Sequence, residues 1–207
     1  MGQPIPGCTI RIAPDGEVLV KGHMVFQGYW NNEAATKEII DEDGWLHTGD
    51  LGALDDQGFL AITGRKKDLI VTAAGKNVAP AVLEDRLRAH WLVSQCLVVG
   101  DARPYIAALV AADADALARW KADNGRPETA AMRDLAHDPA LRSEFQEAVD
   151  DANKAVSHAE AIKKFALLEE DFTEERGQLT PTMKMRRQVI MEQYAAQIAA
   201  LYDETTS

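Results

Sequence analysis

Three polar positions in the 207-residue sequence have the side-chain types and settings to do chemistry. Asp50 lies between Gly49 and Leu51 in GWLHTGDLG, a carboxylate on what reads as an open turn, suited to accept hydrogen bonds from two vicinal hydroxyls. Arg65 follows Gly64 beyond the apolar strand Phe59-Leu60-Ala61-Ile62, where a planar guanidinium can hold ribose or phosphate oxygens through directed hydrogen bonds. Lys184 sits between two methionines in TPTMKMRR, behind Pro181 and ahead of Arg186 and Arg187. Each has a plainer reading. Taken alone, Asp50 is a turn or N-cap aspartate, Arg65 a solvated interdomain salt bridge, and Lys184 a surface lysine in a small basic patch. His47 reads as structural, because nothing places a nucleophile beside it.

The elements that must position these residues fall into two textures. Up to about residue 66 the sequence reads as β structure with turns. Thr9–Ile12 and Glu17–Lys21 alternate around the turn Asp15-Gly16, and Asn32 caps a short helix over Glu33–Ile40. The glycines at 44, 49 and 52 allow sharp turns and close approach of a ligand. The polar run Gly64-Arg65-Lys66-Lys67-Asp68 then separates two apolar segments and marks a domain boundary, giving domains 1–66 and 67–207. Beyond it, Pro80 starts a helix reaching about His90, strands fall at Gln95–Val99 and Tyr105–Ala111, and Asp113 to about Val156 is helical, with Asp138-Pro139 as a start signal. Lys164–Leu168 is a strand, Glu175–Gly177 a turn, and Ile190, Tyr194, Ile198 and Leu201 mark a closing helix, with Thr205–Ser207 frayed. The fold class is α+β.

Composition narrows the partners. A formal net charge of -11 opposes binding to nucleic acid through a broad basic face, so any anion bound is small and held locally. Cys8 and Cys96 form no disulfide framework, and the apolar run Cys96–Val99 implies a buried, reduced thiol, which suits the cytoplasm. The first thirty residues show no charged start and apolar segment of a leader, and no run of 18 apolar residues spans a membrane. No His/Cys/Asp grouping has metal-ligand spacing, and neither GxxxxGK[ST] nor GxSxG occurs.

Four segments in order, GEVLVKGHMVFQGYW (16–30), GWLHTGDLG (44–52), ITGRKKDLIV (62–71) and LTPTMKMRR (179–187), resemble the adenylate-forming, AMP-binding superfamily of acyl-CoA synthetases, luciferases and peptide-synthetase adenylation domains. The segment from Ala152 to Arg187, with its IKKF strand and LTPT-K turn, resembles the long-chain fatty-acid–CoA ligase branch. The resemblance implies a β-rich tail of the N-terminal domain, a distorted barrel subdomain, over 1–66. It implies a small α+β lid over 67–207, with a short sheet packed by helices. It implies ligase chemistry with ATP, Mg2+ and CoA: a fatty acid is adenylated, pyrophosphate leaves, and the acyl group passes to CoA. In that reading Asp50 and Arg65 hold the nucleotide, Lys67 with Asp68 is the hinge, and Gly75 and Lys76 border the pantetheine path. Lys76 departs from the acidic residue common in the branch and is equally an ordinary turn lysine. Lys184 is the catalytic lysine, reaching the α-phosphate and the substrate carboxylate. Its methionine neighbours could shield its stem, and Arg186 and Arg187 face solvent or CoA phosphate.

The family's Ser/Thr/Gly-rich phosphate loop and its Tyr-Gly-x-Thr-Glu-type segment, which holds adenine and magnesium, do not occur in these residues. The expectation is therefore a fragment or truncated relative, inactive alone, whose partner is the missing N-terminal AMP-binding domain. Two other readings stand beside it. One is a non-catalytic lid or regulatory module. The other is an acyl-AMP ligase feeding a carrier protein, against which the compact hinge segment GRKKDLIV argues. Peripheral membrane contact suits an enzyme with a lipid substrate.

Overall fold

A tight turn begins the chain's first sheet: Gly16, at φ +86, donates its N–H to Ala13 O, and β1 (Cys8–Ile12) folds back on β2 (Glu17–Gly22). The computed structural model describes residues 2–203. After β2, Asn32 accepts the N–H of Ala35 and caps α1 (Glu33–Ile39), as its residue type predicts. β3 (Leu46–Leu54) and β4 (Leu60–Arg65) complete an antiparallel sheet in the order β1-β2-β3-β4. A bridge between Gly2 and Leu60 sets the segment ahead of β1 against β4, so the sheet curls. Lys66–Asp68 then form a single 3-10 turn. The chain divides into two compact units, Met1–Leu69 and Ile70–Ser207.

The second unit opens with a small hairpin of β5 (Ile70–Val71) and β6 (Asn77–Val78), followed by α2 (Pro80–Arg88) with proline at its first turn. β7 (Val93–Val99) and β8 (Ile106–Ala112) pair antiparallel. The helical stretch after Asp113 comprises α3 (Ala114–Asp123), α4 (Met132–Leu135) and α5 (Pro139–Asn153), the last starting at the Asp138-Pro139 signal. Gly125, at φ +63, and Pro127 break the first from the second. β9 (Ile162–Leu167) then joins β8 in parallel, the arrangement a helical crossover permits. The closing helix is likewise split, into α6 (Arg187–Gln193) and α7 (Ala195–Tyr202), with Tyr194 as the shared cap. Residues 205–207, expected to fray, lie outside the described residues.

The sheet β7-β8-β9 is covered on both faces, which explains why its strands are continuous apolar runs. Val98, Ala108 and Val110 face a cluster with Leu83, Leu87, Leu141 and Phe145, while Leu97, Ala107 and Leu109 face another with Leu179 and Ile190. Cys96 is fully buried and neither cysteine is disulfide-bonded; burial, then the Glu84 charge, pushes its thiol up to about 12. An inert thiol follows.

Candidate functional site

Asp50 and Arg65 face each other across a strand pair. They are register partners on β3 and β4, and Arg65 Nε donates to Asp50 Oδ1 at 2.9 Å. Asp50 is therefore not on an open turn. Gly49, at φ +71, and a register shift between Leu51 and Gly52 give turn-like chemistry inside a strand, as a bulge does. Thr48 fixes the entry: its hydroxyl donates to Val18 O at 2.8 Å and accepts the Asp50 N–H at 3.1 Å. Thr48, Gly49, Arg65, Lys66 and Lys67 line an open cleft of about 380 Å³. Lys67 is exposed on the 3-10 turn, with Asp68 half-buried behind it.

A carboxylate that sequence reading passed over underlies this cleft. Glu17 is only 4% exposed and accepts three hydrogen bonds: from Lys66 Nζ at 3.0 Å, His47 Nδ1 at 3.1 Å and the Gly49 N–H at 2.9 Å. Lys66 also reaches Asp15 at 2.6 Å. Burial pushes the Glu17 carboxyl up, but the His47, Lys66 and Gly49 hydrogen bonds outweigh it, and its pKa is lowered overall. The one signal was its in-phase spacing with buried Leu19 on β2. His47 is thereby explained as part of this network.

Such a depressed carboxyl contributes stability above its unfolded-state pKa, and loses it as pH falls through the lower folded-state value. Glu17→Gln is expected to cost about 1–2 kcal/mol at neutral pH, the worth of charge-assisted hydrogen bonds to a half-exposed lysine. Urea titrations should show the difference between the two proteins narrowing below pH 4.5. A difference that stays constant to pH 2 counts against the network.

In the second unit, the β5–β6 hairpin carries Gly75 and Lys76. Gly75, at φ +75, donates to Thr72 O, and a Cβ added there meets no atom within 4 Å, so the glycine answers to backbone conformation and not to crowding. Lys76 Nζ lies 3.3 Å from Glu160, whose carboxyl is held low first by the Ser157 hydroxyl and then, against burial, by the Ser157 N–H and Lys76. Lys184 rides a closed loop. Thr180 N donates to Lys184 O at 2.9 Å, Lys184 N donates to Thr180 Oγ1 at 3.0 Å, and Met183 N donates to Thr180 O at 2.8 Å. The lysine is exposed and its ammonium has no ion-pair partner among the described residues. The methionines do not shield it alike. Met185 packs into the core with Leu179, while Met183 is exposed at φ +61. Arg187 departs from the expected solvent-facing position too: it forms an ion pair with buried Glu84 at 2.6 Å.

Among the described residues no three His, Cys, Asp or Glu side chains are placed to hold a metal ion. No helix of the described residues is long and apolar enough to cross a membrane.

Residues 67–206 match the AMP-binding enzyme C-terminal domain, and the chain belongs to that family. Among solved structures it resembles the adenylation domain of a carboxylate reductase from Mycobacterium chelonae (TM-score 0.72, 26% identity, 97% of this chain and 31% of that one). It also resembles Bacillus subtilis O-succinylbenzoate coenzyme A synthetase in complex with AMP (TM-score 0.61, 27% identity, 90% and 34%).

More narrowly, it is 58% identical over 204 residues to the long-chain-fatty-acid–CoA ligase FadD15 of Mycobacterium tuberculosis, covering 99% of this chain and 34% of that ligase. It is 36% identical over 229 residues to the Xenopus laevis long-chain-fatty-acid–CoA ligase ACSBG2, covering 98% and 30%. The chain thus spans about a third of the length of these relatives.

Proposed function

We propose that this chain carries the nucleotide-edge and lid functions of an ATP-dependent long-chain fatty-acid–CoA ligase. The observation that carries the reading is the Lys184 loop: an exposed ammonium, unpaired among the described residues, on a hydrogen-bonded turn, in a chain 58% identical to a named ligase of that class. Attack of a carboxylate on ATP brings two anions together and concentrates charge on phosphoryl oxygens. A cation about 4 Å away at an effective dielectric near 20 contributes on the order of 4 kcal/mol to holding that charge. Lys184 supplies this cation without proton transfer. Asp50 Oδ2, which has no partner among the described residues, accepts from the ribose hydroxyls, while Arg65 steadies Asp50 and contacts the nucleotide. Mg2+ screens the phosphates when bound.

For the second step, rotation about Lys67 and Asp68 brings the Gly75–Lys76 hairpin to the acyl-adenylate, where it borders the path of the CoA thiol. The polar 3-10 turn there is closed by one hydrogen bond, Leu69 N–H to Lys66 O at 3.3 Å, so such a rotation breaks no longer helix or strand. The lid begins at residue 67, where the family match begins, three residues ahead of the compact second unit, and the protein works in the cytoplasm with peripheral contact to membranes that supply its lipid substrate.

Incubated alone with ATP, Mg2+, CoA and palmitate, the chain is expected to form no palmitoyl-CoA, because it has no phosphate loop. Mixed with or joined to the N-terminal part of the mycobacterial ligase, it should restore thioester formation. Palmitoyl-CoA from the chain alone overturns the assignment. A change in the rate of an intact ligase, with no complementation, selects the regulatory-module reading instead.

A further inference from the structure

Arg187, three positions beyond Lys184, is tied to Glu84 and Val98. β7 is an edge strand of its sheet, and at Val98 its outward N–H and C=O find no strand partner. Two side chains take that place. Glu84 Oε1 accepts the Val98 N–H at 2.8 Å, and Arg187 Nη2 donates to Val98 O at 2.6 Å. The remaining contact closes the ring: Arg187 Nη1 donates to the same Glu84 oxygen at 2.6 Å. The Glu84 side chain is 5% exposed and that of Arg187 20%, so the pair is largely removed from solvent. A planar fork that bridges a carboxylate and a carbonyl fixes both position and orientation of the arginine.

The lysine loop is built directly on this clamp. Arg186 N donates to Gln178 O at 2.8 Å and Leu179 bridges to Met185, so the hydrogen-bonded rungs run unbroken from the clamp to Thr180 and Lys184. The other leg is held as well. Gln178 is 1% exposed, accepts the Thr173 N–H at 2.9 Å and donates to Gln193 at 2.8 Å. Met185 and Leu179 pack against the core, while the tip, Pro181 to Lys184, and Arg186 are exposed.

We propose that Arg187 is a positioning residue for adenylation, its guanidinium fork on Glu84 and Val98 setting where the Lys184 ammonium stands. The proposal rests on the reading of Lys184 as the adenylation lysine. Arg187 touches no substrate; it acts through the backbone of the two intervening residues, Met185 and Arg186. Ion pairing alone does not suffice for this role, because a lysine at 187 keeps the charge but cannot bridge both acceptors in one plane.

The test uses the chain completed with the N-terminal part of the mycobacterial ligase, and compares Arg187→Lys with wild type in both half-reactions. Palmitate-dependent ATP–pyrophosphate exchange is expected to fall about tenfold in kcat with the KM for ATP unchanged, as for a misplaced catalytic group. Thioester formation from preformed palmitoyl-adenylate and CoA should stay within about twofold, since Lys184 has no role there. Equal losses in both half-reactions, or no loss in exchange, overturn the proposal. Glu84→Gln, which keeps an acceptor for Val98 and weakens the hold on Arg187, gives the same two readouts if Arg187→Lys fails to fold. Lys184→Ala runs alongside: full exchange activity there defeats the underlying reading, whereas loss there with an unaffected Arg187→Lys defeats only the positioning role.

Discussion

Lys184→Ala in the completed ligase is expected to lower palmitate adenylation about a thousandfold while leaving thermal stability within about 0.5 kcal/mol of wild type. The two halves of that expectation have separate origins. The rate loss follows from removing a contribution on the order of 4 kcal/mol to the phosphoryl charge, at roughly 1.4 kcal/mol per decade. The unchanged stability follows from the loop, where every bond that Lys184 makes uses its backbone, and alanine keeps that backbone. Pyrophosphate exchange measures the first and a thermal melt the second. Lys184→Gln, which mimics acetylation, should match the alanine variant because it too lacks the charge. Full exchange activity in Lys184→Gln sinks the electrostatic role, while a large drop in melting temperature shows the lysine to be structural.

How much of this was legible in the sequence depends on how locally each feature is encoded. The Asp15-Gly16 turn, the Asn32 cap and the Pro80 helix start are decided by neighbours within four residues, and the structure has all three. The apolar runs around Leu97 and Leu109 announced strands, though not their cover on both faces or the parallel pairing of β8 with β9, which depends on the crossover. Asp50 was misplaced onto a turn because Gly49 carries the same signal in a bulge as in a loop. Arg187 was misread for a different reason. Two adjacent arginines look like one basic patch, yet at the start of α6 one faces solvent and the other turns inward to a glutamate more than a hundred positions away in sequence. Glu17 is the same kind of case, since its partners His47 and Lys66 arrive from other strands and turns. The candidate tips were singled out by the motifs around them, through the family those motifs resemble; buried charges such as Glu17 and Glu84 were not, because pairing is non-local.

That division predicts different consequences for the two carboxylates beside the cleft. Asp50→Ala removes an exposed-side acceptor, and its ion partner Arg65 is 56% exposed, so water replaces the lost contact and stability should change little. Binding is another matter. If Asp50 accepts from two ribose hydroxyls, each hydrogen bond to a charged group is worth about 1.5–3 kcal/mol when water is excluded, and losing the carboxylate should raise the KM for ATP on the order of a hundredfold. The effect should fall on nucleotide binding and spare kcat at saturating ATP, because the ribose is remote from the reacting phosphorus. Replacing ATP by its 2′,3′-dideoxy analogue gives the decisive comparison. In wild type the analogue should bind as poorly as ATP binds to Asp50→Ala, and in the variant it should cost nothing further. An equal penalty for the analogue in both proteins means that the hydroxyls are held elsewhere and Asp50 serves only to brace Arg65.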